Sequence, residues 1–120
     1  MTTQQVADRL VELCRSGQFD QCYHELFAPD ADAYEMPGFP MNAHTKGVEA
    51  LLAKSKSFAE QTVEMHGFSV SDPLVQGNTF AVGMTIDRTD KERGRSKEEE
   101  ICAYVVKDGK ITSEHFIYAM

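Results

Sequence analysis

The first half of the chain repeats its apolar residues every three to four positions, and the second half repeats them every two. Val6, Leu10, Leu13 and Cys14 form one helical stripe. Thr2 and Gln5 open that helix as a capping box, and Ser16-Gly17 closes it. A second, shorter helix carries Phe19, Tyr23, Leu26 and Phe27 on one side and stops at Pro29. Asp30 to Glu35 reads as a short strand. Met36-Pro37-Gly38-Phe39-Pro40 is irregular, because two prolines bar regular pairing. Thr45 is placed to cap a third helix with the stripe Val48, Leu51, Leu52, Ser55 and Ala59.

Beyond residue 61 the period is that of strands. Val63 to Val75 is one long strand, broken or bulged at Ser71-Asp72-Pro73, and Gly77-Asn78 is a hairpin turn that matches strand twist. Thr79 to Arg88 follows, with Phe80, Val82, Met84 and Ile86 on one face. Thr89 to Glu100 is dominated by charge and reads as a solvated hairpin tip. Ile101 to Lys107 is a strand, Asp108-Gly109 turns it, and Lys110 to Ala119 closes the sheet. The expected architecture is α+β: three N-terminal helices packed on a strongly curved antiparallel sheet, cone-shaped with a central pocket, in one domain over 1-120.

Composition narrows the partners. The chain has 12 Lys and Arg against 19 Asp and Glu, a formal net charge of −7, with its basic residues scattered. Nucleic acid and anionic membrane surfaces are therefore not expected as partners, since both are met by clustered basic residues. No apolar run is long enough to span a membrane and no signal sequence opens the chain, so the cytoplasm is the expected compartment, with Cys14, Cys22 and Cys102 reduced. His24, His44, His66 and His115 form no recognisable ligand set with these cysteines, and neither a metal nor another cofactor is expected.

The order of elements resembles the nuclear transport factor 2-like superfamily, which includes SnoaL-like polyketide cyclases and ketosteroid isomerases and has a cystatin-like fold. The residues that carry the resemblance are Arg15-Ser16-Gly17-Gln18-Phe19-Asp20, Leu26-Phe27-Ala28-Pro29-Asp30-Ala31, Gly47, and Asp108-Gly109-Lys110-Ile111. The resemblance implies a cone with Glu35 where the isomerases hold a general base. It also puts Leu10 and Cys102 where those enzymes hold the tyrosine and protonated aspartic acid that stabilise an oxyanion. Without those donors steroid isomerisation is not expected.

Two carboxylates are candidates for chemistry. Glu35 lies where the first strand opens toward the cavity, although alternation alone leaves open whether Tyr34 or Glu35 points inward. Glu114 shares one face of the last strand with Phe116 and Tyr118. Either carboxylate, enclosed by apolar walls, would serve as a base near neutral pH, with Tyr104 or Tyr118 orienting a carbonyl. Tyr34, His44, Val82, Met84, Cys102, Tyr104, Phe116 and Tyr118 are the candidate ligand-binding residues. Phe39-Pro40-Met41 would be a lid or an interface segment.

Three readings follow. The first is a SnoaL-like protein with a pocket for a small, largely apolar molecule, serving proton transfer of the isomerase, cyclase or dehydratase type. The second is a binding module that uses the same cavity without chemistry. The third is a dimeric interaction protein. Ile101, Ala103 and Val105 with Ile117 make an outward apolar set that calls for a homodimer through the sheet face.

Overall fold

The computed structural model of the chain describes residues 1–39 and 43–119. Among the described residues three helices and seven strands follow one another as α1 (Thr3–Arg15), α2 (Phe19–Leu26), β1 (Phe27–Tyr34), β2 (His44–Lys46), α3 (Val48–Gln61), β3 (Thr62–Val70), β4 (Leu74–Gln76), β5 (Thr79–Asp90), β6 (Gly94–Lys107) and β7 (Lys110–Ile117). The expected α+β order holds. Helix α1 opens on the capping box: Thr2 Oγ1 accepts from the Gln5 N–H at 3.1 Å, and Gln5 Oε1 accepts from the Thr2 N–H at 2.8 Å. Its buried side, Val6, Ala7, Leu10, Val11, Leu13 and Cys14, joins Leu26 and Leu51 from the other helices and Phe80, Val82 and Ile111 from the sheet in one core.

The strands lie in the order β2-β1-β7-β6-β5-β3, with β4 also paired to β5. The sheet departs from the expected all-antiparallel pattern at one pair, because β1 runs parallel to β7. Parallel neighbours cannot be joined by a tight turn, and here β2, α3 and β3 to β6 lie between the two in sequence. The expected long strand from Val63 is cut as anticipated at residues 71–73, giving β3 and β4.

Three local expectations are corrected. The segment from Thr89 to Glu100 is not a loose tip: β5 runs on to Asp90, β6 starts at Gly94, and Asp87 pairs with Lys97 and Thr85 with Glu99 in register. Charged residues sit on strands here because residues 95–99 of β6 are exposed on both faces, while Arg88 and Asp90 of β5 are buried as an ion pair at 3.1 Å. Thr45 lies in β2 rather than capping α3. Gly47 takes that position with φ of 92°, a left-handed conformation that glycine adopts without strain, and donates its N–H to the Ala31 carbonyl at 2.7 Å. The first strand begins at Phe27, three residues earlier than expected, with a register shift between Phe27 and Asp32 accommodating Pro29. Pro40 and Met41 of the expected lid lie outside the described residues. Among the described residues no helix is long and apolar enough to cross a membrane.

Candidate functional site

Alternation along β5, β6 and β7 sends one set of side chains into the cone. Register fixes its layers: Phe80 faces Tyr104, Val82 faces Cys102 and Met84 faces Glu100, while Cys102 faces Phe116 and Tyr104 faces Glu114. Ala33 of β1 lies level with Glu114, so the side chain of Glu35, two residues on, also turns inward. Its carboxylate is held from two sides. Lys54 Nζ of α3 lies 2.8 Å from Oε1, and the Tyr118 hydroxyl donates to Oε2 at 2.7 Å. The Lys54 ammonium also stands 5.6 Å from the centre of the Phe116 ring, within reach of its negative face.

Two more carboxyl groups share this interior. Glu114 is 4% exposed, and its Oε1 is fully enclosed without a hydrogen-bond partner. Burial pushes its pKa up to about 7; Tyr104 and Lys54 pull it back, while Glu100 and Glu35 add repulsion. Glu100 is likewise pushed up to about 7, first by burial and then by Glu35 and Glu98, against the pull of Cys102 and Lys54. The Cys102 thiol lies 3.6 Å from Glu100 Oε1, and burial raises its own proton affinity. Burial raises Tyr104 well above the usual phenol range, and burial with the Glu35 hydrogen bond pushes Tyr118 up to about 12. Such a set holds its protons at neutral pH and has two carboxyl groups poised to exchange them.

Glu35, Glu114, Val82, Met84, Cys102, Tyr104, Phe116 and Tyr118 thus lie on one inner surface. Tyr34 and His44 do not. Tyr34 points to the outer face of β1, stacked between His44 at 4.7 Å and His115 at 4.8 Å, and His44 Nε2 is 2.8 Å from Asp32 Oδ1. Strand parity is the reason: with Glu35 inside, Tyr34 must be outside. In the deep part of the cone Cys102, Tyr104, Val82 and Glu114 are each less than 5% exposed. Two open hollows, of about 450 and 580 Å³, lie outside it, against α1 and the α2–α3 side. The half-buried residues Glu35, Lys54, Met84, Glu100, Phe116 and Tyr118 form the mouth.

Lys54 and Glu100 were missed as site residues. Glu100 had a legible signal, since it continues the inward alternation of Cys102 and Tyr104. Lys54 had one too: it lies three residues after buried Leu51 on the same helix face, but a lysine at that place reads as solvent-facing.

A helix-backed curved sheet with an acid-lined interior defines the class. The chain matches the SnoaL-like domain over residues 1–118 and belongs to that family. It is 39% identical to a protein from Mesorhizobium loti provisionally named a SnoaL-like polyketide cyclase and carbohydrate phosphatase; the match covers 98% of this chain and 100% of that one, with a TM-score of 0.91. A protein of unknown function with a cystatin-like fold from Xanthomonas campestris shares the fold at 15% identity, over 100% of this chain and 92% of that one, with a TM-score of 0.81. TerC, co-crystallised with polyporic acid, shares it at 14% identity, over 98% and 92%, with a TM-score of 0.75. No curated protein sequence matches the chain.

Proposed function

We propose that this SnoaL-like chain holds a small, largely apolar molecule in the mouth of its cone and moves a proton on it, as an isomerase, cyclase or dehydratase does. The observation that carries this reading is Glu114, an enclosed carboxyl group with one unpartnered oxygen and a pKa near 7. A group poised there gives and takes protons at neutral pH with little driving force needed in either direction. Glu35, held by Lys54 and Tyr118, is the second carboxylate, and Glu100 at the mouth is a third. Carboxyl groups move a proton without help, so the reaction needs no cofactor. Met84 and Phe116, both half-buried, give the mouth apolar surface, and the flexible methionine lets it adapt to a ligand. Steroid isomerisation stays outside the reading, because Leu10 is core and Cys102 is a thiol with a raised pKa.

The Mesorhizobium loti relative and TerC support an organic small molecule as ligand. A binding module without chemistry is the second reading, favoured by Glu35, whose two carboxylate oxygens are already engaged by Lys54 and Tyr118. Carbon-13 NMR titration of labelled glutamates separates the two, with Glu35→Gln, Glu100→Gln and Glu114→Gln for assignment. Proton transfer requires Glu114 to titrate near pH 7; ordinary titration of every glutamate near about 4.3 removes it. The uncovered sheet face, with Ile101 and Ile117 directly paired and about half exposed, suits a second copy of this chain. The working compartment in this reading is the cytoplasm, where three free cysteines stay reduced.

A further inference from the structure

The inner surface of the cone is short of positive charge. Glu35, Glu100 and Glu114 interact there with one another, and among the described residues Lys54 is the cation that reaches them. Its ammonium is engaged by Glu35 at 2.8 Å. Glu114 Oε1 is left enclosed with no partner, and Glu100 has only the Cys102 thiol at 3.6 Å, a weak donor. Enclosing a carboxyl group without a partner is costly, and a stable fold does not need it at this position.

We propose that the ligand's polar group is a protonated amine, carried on an apolar body. An ammonium entering between Glu35 and Glu100 supplies the missing positive charge. The Phe116 ring stands at the same mouth, where it already draws the Lys54 ammonium to 5.6 Å. The rest of the molecule meets Met84 at the mouth, which has no charge to satisfy. The chain as a whole agrees in sign: with a formal net charge of −7 it draws cations toward its surface and turns anions away. Binding has a signature. A cation beside the trio favours the charged form of each carboxyl group, so Glu100 or Glu114 gives up its proton to solvent as the amine enters.

This inference rests on the mouth of the cone being the ligand site. Isothermal titration calorimetry at pH 7 tests it with 2-phenylethylamine, 2-phenylethanol and phenylacetate, each in two buffers of different ionisation heat. The amine is expected to bind about tenfold or more tightly than the alcohol, with phenylacetate weakest and up to about one proton released per amine. Glu100→Gln and Glu114→Gln should each cut the amine's advantage over the alcohol severalfold and lower the proton release. Equal binding of amine and alcohol, or an amine preference that both variants retain in full, overturns the inference while leaving the mouth as a ligand site. Preference for phenylacetate overturns it too. If none of the three binds, the inference and the ligand site fall together.

Discussion

The two faces of the β6–β7 pair reverse the usual distribution of side chains. Inward, the pair presents Glu100, Cys102, Tyr104, Glu114 and Phe116, four of them titratable. Outward it presents Ile101, Ala103, Val105 and Ile117, with both isoleucines about half exposed. In an isolated domain buried carboxyl groups and wet isoleucines both cost free energy. One pair of strands carrying both faults points to two occupants rather than to poor packing. The inner face suits a ligand and the outer face suits another protein surface.

The outer face gives the largest expected effect. Burying the rest of the four isoleucines across a two-fold axis is worth about 1 kcal/mol each, together roughly a thousandfold in the dimer constant. Ile101→Lys should therefore yield a monomer by light scattering at concentrations where the parent chain is a dimer; a monomeric parent ends the comparison. The inner face is next. The pKa of Glu114 is higher in the folded chain than in the unfolded one, so folding gains from its proton below about pH 4.3 and loses that gain as pH rises through about 7. Urea unfolding should show a fall in stability from pH 5 to pH 8, and Glu114→Gln should remove on the order of 3 kcal/mol of it. Asp32, Asp87 and Asp90 act oppositely, because His44, Arg95 and the N–H groups of Glu92 and Arg93 hold their proton affinities low. Their contribution is lost as pH falls, which leaves the optimum in mildly acid solution.

Tyr118→Phe is a smaller change, removing one donor from Glu35 for about 1 kcal/mol by urea unfolding. Smallest is Arg95→Ala, which breaks a solvent-exposed pair with Asp87 and should cost less than about 1 kcal/mol. A larger loss there would mean that the charged hairpin arm matters as much as the cone.

The same contrast explains what the sequence made legible. Helix α1 and the Gly77-Asn78 turn could be read because local chemistry decides them, in a capping box and a two-residue reversal. Strand parity put Glu114 on one face with Phe116 and Tyr118, and the family resemblance made that face the inner one. Glu35 could not be placed this way, since its direction is set by the pairing of Tyr34 with His115, 81 residues away in sequence. The Thr89–Glu100 segment misled because a strand with two wet faces carries no apolar alternation. Lys54 was hidden by chemistry: a helix facing carboxylates can turn a lysine inward, and a search for apolar stripes passes over it.

The parallel pairing of β1 with β7 has a kinetic consequence. Glu35 and Tyr118 are 83 residues apart, and they meet only after the final strand has docked beside the first. Contacts of that separation close late and slow the search for the native state. Glu100 and Glu114 share the local β6–β7 hairpin, but until that docking Glu35 stays in water and the trio is incomplete. The acid cluster is among the last parts of the molecule to exist, so its spectroscopic signature reports completion of folding rather than collapse.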